Sequence, residues 1–194
     1  MIRVKENYEK KVIPHFLKEL GYKNILAIPR ISKVTVNIGI GSQLKSESNQ
    51  KEAMETMKQD LATITGQKSI ETKSKDSIAG FGIRKGQTLG LKVVLRGKRM
   101  ADFTDRFVNF ALPRSRDFSG ISLASFDEAG NLNVGIKEHT TFPELGTGKQ
   151  AQKVKKTYGL QVTFSTTIRN KKHNIILFEK LGFPLRKTEG TKEN

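Results

Sequence analysis

Three stretches of this chain alternate apolar and polar residues with a period of two, and nothing else in it restricts the fold as much. In ISKVTVNIGIG, Val34, Val36, Ile38 and Ile40 alternate with Lys33, Thr35, Asn37 and Gly39. In TLGLKVVLRG, Leu89, Leu91, Val93 and Leu95 alternate with Gly90, Lys92, Val94 and Arg96. In LQVTFSTTI, Leu160, Val162, Phe164, Thr166 and Ile168 stand opposite Gln161, Thr163, Ser165 and Thr167. Successive side chains of a strand point to opposite faces, so each stretch has one face to bury and one to hydrate. Such strands suit a sheet with helices on one side only, and that arrangement is mainly antiparallel.

The segments between them carry a helical period. Tyr8, Val12, Phe16, Leu17 and Leu20 form a stripe over residues 7–20, stopped by Gly21. Pro14 lies inside this stripe and predicts a kink or two short pieces. Ala53, Met57, Leu61 and Ile64 form a second stripe over residues 48–65, stopped by Gly66. Met100, Phe103, Phe107 and Phe110 form a third over residues 98–111, with Pro113 as its end. A last helix is expected from Asn170 to Leu181, ended by Gly182. KSIETK (68–73) is a short strand candidate, and Leu132, Val134 and Ile136 follow a turn at Asp127–Gly130. The sequence therefore predicts an α+β fold: a mainly antiparallel sheet, helices packed on one face, and long basic loops. Residues 1–187 read as a single domain, and 188–194 as a polar tail expected to be disordered.

Lys and Arg number 35 against 19 Asp and Glu, for a net charge of +16. That excess repels itself and is relieved by a polyanion. Anionic membrane is the weaker choice, since no stretch approaches the ~20 apolar residues that span a bilayer. The opening MIRVKENYEKK has no apolar core of the secretory type. Without cysteine there is no disulfide or thiolate chemistry. Nucleic acid is the expected partner class.

Catalytic patterns fail on detail. His15, His139 and His173 are not at metal-ligand spacing, so no metal site is expected. Gly39 and Gly41 follow a strand, but the dinucleotide pattern then needs glycine where Leu44 stands. GTGKQ ends like a phosphate loop, yet Gln150 replaces the required Ser or Thr and Pro143 the first glycine. No catalytic set and no cofactor are expected.

The stretch TKSKDSIAGFGIRKGQTLG (72–90) is different in kind. It holds Lys73, Lys75, Arg84 and Lys85, one acid (Asp76), and Gly80, Gly82, Gly86 and Gly90. It reads as a flexible cationic arm between two strands, with cations for phosphates and glycines for close backbone approach. Asn37, Thr35, Gln67, Thr163 and Thr167 supply hydrogen-bonding groups for sugar or base edges. Most of the phenylalanines fall on buried stripes, so recognition by shape and backbone is expected rather than base stacking. Two readings fit these residues: a structural RNA-binding protein, and a free basic RNA chaperone or regulator.

The blocks IPRISKVTVNIGIG, TGQKSIETKSKDSIAGFGIRKGQ, LKVVLRGKRM, LPRSRDFSGIS, SFDEAGNLNVGIKEHTTFPE and FPLRK follow one another over residues 1–187. In that order they closely resemble the bacterial-type large-subunit ribosomal protein five family, which binds 5S rRNA. The resemblance implies a structural protein of the cytoplasmic ribosome, in the central protuberance of the large subunit. Its implied partners are 5S rRNA, 23S rRNA, peptidyl-site tRNA, small-subunit protein thirteen and neighbouring large-subunit proteins, with no membrane. It implies 5S rRNA contacts at Lys33, Thr35, Asn37, Gln67, Lys92 and Arg96. It implies tRNA contacts on the 74–86 loop and its root, through Lys73, Lys75, Ser77, Gly80, Phe81, Arg84 and Lys85. For an intersubunit bridge it points to Arg114, Arg116, Glu144 and Lys149. Lys171 and Lys172 sit at the positive end of the last helix, where an RNA phosphate is expected to offset them.

Overall fold

The computed structural model describes residues 3–40, 50–116, 118–146 and 157–186. Lys149, the lysines at 153–156 and the 188–194 tail lie outside the described residues. Five strands form one sheet: β1 (Ile31–Gly39), β2 (Ile70–Lys73), β3 (Thr88–Leu95), β4 (Leu132–Ile136) and β5 (Leu160–Thr166). Their order is β2-β3-β1-β5-β4, and the sheet is antiparallel. The alternation shows directly in burial: Val34, Val36, Ile38, Leu91, Val93, Leu95, Leu160, Val162 and Phe164 are buried. Lys33, Thr35, Asn37, Lys92, Val94, Gln161 and Thr163 on the other face are half-buried or exposed.

Leu89 departs from the expected alternation. Thr72 pairs with Gly90 while Lys73 pairs with Thr88, so Leu89 is an extra residue on β3. It is only half-buried, and its carbonyl accepts from the Ile40 N–H at 3.0 Å. A bulge of this kind sharpens local twist, and this one sits where β2 and β3 leave the sheet.

The chain groups into two compact units, Met1–Val34 with Arg96–Val134 and Thr163–Asn194, and Thr35–Leu95 with Gly135–Val162. In the first, Phe107, Phe164, Phe178 and Phe183 form an aromatic core. Phe164 lies 5.4 Å from Phe107 and 5.2 Å from Phe183, ring centre to ring centre. In the second, Met57, Leu61 and Ile64 of the helix Gln50–Thr65 are buried, as are the inward residues of β3.

Pro14, expected to kink or divide the first helix, and Pro113, expected to end a later one, each follow a π turn. The first helix, α1, runs as Val4–Asn7, a π turn Tyr8–Val12, and Ile13–Lys18. Naming Gln50–Thr65 as α2, the next long helix, α3, runs as Gly97–Arg106, a π turn Phe107–Ala111, and Leu112–Arg114. The residue before each proline donates five back rather than four, Ile13 to Tyr8 O and Leu112 to Phe107 O. A proline has no N–H to offer and crowds the carbonyl four residues earlier, and the wider π turn makes room. The same turn rotates Phe110 out of its stripe. It is 38% exposed, while Ala111 and Leu112 face inward in its place.

The short α4 (Pro143–Gly146) and the final α5 (Lys171–Leu181) complete the fold. Asn170 caps α5, its side chain accepting from the His173 N–H. Lys171 Nζ donates to the Phe126 carbonyl at 3.1 Å, so this cation already has an acceptor within the protein. Lys172 is exposed.

Candidate nucleic-acid interface

The polar sheet face is assembled strand by strand in the second unit. Thr35 and Asn37 project from β1 and Lys92 from β3, half-buried, half-buried and exposed respectively. The register sets Ile70 against Lys92 and Thr72 against Gly90, so β2 adds Ile70 and Thr72 to the same face. Ile70 is 68% exposed. Sequence reasoning missed it, although the alternation within KSIETK carries the signal. Lys33 continues the β1 row in the first unit, and Arg96 is an exposed residue preceding α3 there. Gln67 is placed differently from the simple expectation of a side chain reaching outward. Its Nε2 donates to the Val94 carbonyl at 3.2 Å, tying the end of α2 to β3.

The arm is a hydrogen-bonded hairpin. Ser74 N–H donates to Gln87 O at 2.8 Å and Gly86 N–H returns to Ser74 O at 3.0 Å. Ile78 and Ile83 exchange both backbone bonds, at 2.9 and 3.1 Å. A 3-10 turn, Ala79–Phe81, closes the tip and ends at left-handed Gly82. Side chains complete the frame: Ser74 Oγ donates to Asp76 O, Ser77 Oγ accepts from the Lys85 N–H, and Gln87 Oε1 accepts from the Arg84 N–H. Ser77, implied as a tRNA contact, therefore has a structural bond inside the arm. Lys73, Lys75, Gly80, Arg84 and Lys85 are exposed, and Phe81 stands at the tip, 70% exposed. These local hydrogen bonds are invisible to periodicity.

The root of the arm is held by charge. Lys58 of α2 meets Glu71 of β2 at 2.8 Å, and the Thr88 hydroxyl of β3 donates to the same carboxylate at 3.1 Å. The Lys58 hydrogen bond, then that of Thr88, hold the Glu71 carboxyl below its ordinary range.

A second polar cluster forms around Asp60, two residues further along α2. His139 is fully buried, and its ring stacks on Tyr158 at 3.7 Å between centres. The Tyr158 N–H donates to His139 Nδ1, so a neutral ring carries its proton on Nε2. Nε2 faces Asp60 Oδ2 at 3.7 Å, and Tyr158 Oη donates to that same oxygen at 2.9 Å. Burial lowers the His139 pKa, against the opposing pull of Asp60. A histidine depressed in the folded state takes up its proton first in the unfolded chain, so its contribution is present near neutrality and lost in acid. Stability is expected to fall below pH 6.5, by up to about 1.4 kcal/mol per pH unit from this one group. Urea melts from pH 7 to 5 check this, with His139→Phe showing the flatter profile. Equal slopes in the two proteins would refute it.

The residues implied for a bridge fall in both units. Arg114 and Arg116 are exposed in the first unit; Glu144 lies in the second, with its Oε2 buried. Lys149 is outside the described residues. No group of three or more metal-ligating side chains occurs among the described residues, and none of the described helices is long and apolar enough to cross a membrane.

Comparison with known proteins fits this geometry. Residues 24–84 match the family described as Ribosomal protein L5, and residues 88–185 match the model of that ribosomal family's C-terminus. Relatives named large ribosomal subunit protein uL5 run nearly end to end with this chain. That of Thermoanaerobacter sp. (strain X514) is 44% identical over 187 residues, covering 96% of this chain and 100% of that one. That of Carboxydothermus hydrogenoformans is 42% identical over 184 residues, covering 95% and 98%. That of Clostridium botulinum (strain Loch Maree) is 44% identical over 184 residues, with the same coverage. With both halves matched by the family's two models and full-length relatives at such identity, this chain belongs to the L5 family of ribosomal proteins.

Proposed function

We propose that this chain holds 5S rRNA and 23S rRNA together in the central protuberance of the large ribosomal subunit. The coarser part follows from the family: it is a structural, non-enzymatic constituent of the large subunit, on cytoplasmic ribosomes. The observation that carries the finer part is the polar sheet face. Thr35, Asn37, Thr72 and Lys92 present hydroxyls, an amide and a cation along adjacent strands, the first three half-buried and Lys92 exposed. Hydroxyl and amide groups suit ribose and base edges, and Lys33, Lys92 and Arg96 suit phosphates. The arm beside it, with Lys73, Lys75, Arg84 and Lys85 around an apolar tip, reaches peptidyl-site tRNA. Arg114 and Arg116, with Glu144 and Lys149, contact protein thirteen of the small subunit.

The test is binding to 5S rRNA across a salt series, with tRNA as competitor. Specific recognition predicts that 5S rRNA is preferred by several kcal/mol at moderate salt. Lys92→Ala should reduce the logarithmic salt slope by about one. Changing Lys73, Lys75, Arg84 and Lys85 to Ala should leave 5S rRNA affinity nearly intact. Equal binding of both RNAs with the same salt dependence would favour a free RNA chaperone and sink the ribosomal contacts.

A further inference from the structure

The first unit carries an apolar feature that the sheet face and the arm do not use. Between α1 and β1 the chain makes a 3-10 turn, Ile25–Ala27, and turns its aliphatic side chains outward. Leu26 is 82% exposed and Ile25 52%, and Ala27 beside them is exposed as well. Leaving a leucine in water forgoes roughly 1.5–3 kcal/mol of burial. The turn is nonetheless built to hold that pose. Asn24 Oδ1 accepts from the Leu26 N–H at 2.8 Å. The Ala27 N–H reaches Asn24 O and the Ile28 N–H reaches Ile25 O. Ile28 and Pro29 then bury and anchor the following residues.

The surroundings are cationic. Lys23 and Arg30 flank the turn and both are exposed. Arg30 pairs with Thr167 through both its N–H and its carbonyl, at 3.2 and 3.0 Å, which brings exposed Arg169 to the same end of the β1–β5 pair. From Gly21 to Arg30, and from Ser165 to Lys172, there is no acidic residue. No ion pair engages Lys23, Arg30 or Arg169 among the described residues. An apolar projection ringed by such cations is complementary to a polyanion with an accessible apolar surface. Unstacked nucleotides in folded RNA offer that combination, a base or ribose face between phosphates.

We propose that the turn Asn24–Ala27 is a second RNA contact, in which Ile25 and Leu26 cover an unstacked nucleotide of ribosomal RNA while Lys23, Arg30 and Arg169 hold the flanking phosphates. This rests on the ribosomal reading above and adds a site separate from the polar sheet face. Because both aliphatic side chains are exposed, Ile25→Ser with Leu26→Ser leaves the fold intact, which a melting curve checks. The full chain and this variant are each titrated with protein-free 5S rRNA and, separately, 23S rRNA. The double variant is expected to bind one of the two about tenfold more weakly with its salt slope unchanged, since no charge is removed. Arg30→Gln with Arg169→Gln is expected to lower the slope for that same RNA by about two. In assembled large subunits, a benzophenone side chain at position 26 is expected to crosslink to RNA. Unchanged affinity for both RNAs, or a crosslink to protein or to nothing, overturns the proposal. If the unaltered chain binds neither RNA, it is the ribosomal reading itself that fails.

Discussion

Replacing Asn174 by leucine is expected to lower the stability of the chain by about 3 kcal/mol or more, and its melting temperature by roughly 6–12 °C. Asn174 is fully buried in α5. Its Nδ2 donates to Ile168 O at 2.7 Å and to Thr166 Oγ1 at 2.8 Å, and lies 3.4 Å from Ala129 O. One amide thus ties the last helix to the end of β5 and to the turn before β4. Leucine matches the volume but donates nothing: Ile168 O keeps only the longer 3.2 Å bond from the Thr166 hydroxyl, and each acceptor left stranded costs about 1–3 kcal/mol. The orientation is not interchangeable, because a flipped amide would set Oδ1 against oxygen acceptors. Gly130 tests the same clamp from outside. Its φ of +80° belongs to glycine, and a Cβ there would overlap Asn174 Nδ2 and come within 3.1 Å of Lys171 Cα. Gly130→Ala should therefore destabilise by a similar amount. Calorimetric scans of both variants within a few degrees of the unaltered chain would show that the clamp contributes little.

The second large effect is expected at Gly90, where β3 passes between β1 and β2. A Cβ there would lie 2.7 Å from the Ile38 carbonyl oxygen and 2.9 Å from Thr72 Oγ1. The first neighbour is backbone and cannot swing aside, so β1 and β3 must separate. Gly90→Val is expected to cost about 3 kcal/mol, at the upper end of overpacking. It should also weaken RNA binding, because Asn37, Thr72 and Lys92 lie on the face that would be pried apart. Denaturant midpoints with amide exchange at Ile70–Thr72 provide the measurement. Native protection in a fully stable Gly90→Val protein would mean that the strands accept a side chain there.

The strands were legible in the sequence because their signal is local. Val34, Val36 and Ile38 announce a buried face without reference to any other segment, and the structure buries all three. The stops at Gly21, Gly66 and Gly182 were legible for the same reason, and each has a positive φ. What escaped depends on partners far along the chain or on hydrogen bonds without periodicity. Asp60 meets Tyr158 across 98 residues, and no spacing announces it. The π turns ahead of Pro14 and Pro113 are a backbone response to proline, so the sequence suggested a break where the helix widens. The internal bonds of the arm involve Ser74, Ser77 and Gln87, which by residue type alone look like RNA-facing polar groups. Ile25 and Leu26 belong to no stripe, and that isolation was the signal available for them.

The strand order has a consequence for a chain that is made from one end. β1 lies between β3 and β5, and β4 has β5 as its sheet neighbour. By the time residue 95 is synthesised, β2, β3 and β1 are all present and can pair. β4 then emerges with nothing beside it, and one edge of β1 stays open until β5 appears. β5 must close both gaps together, pairing with β1 on one side and β4 on the other. The last strand made is thus a keystone, and until it is in place half of the sheet has no ladder to join.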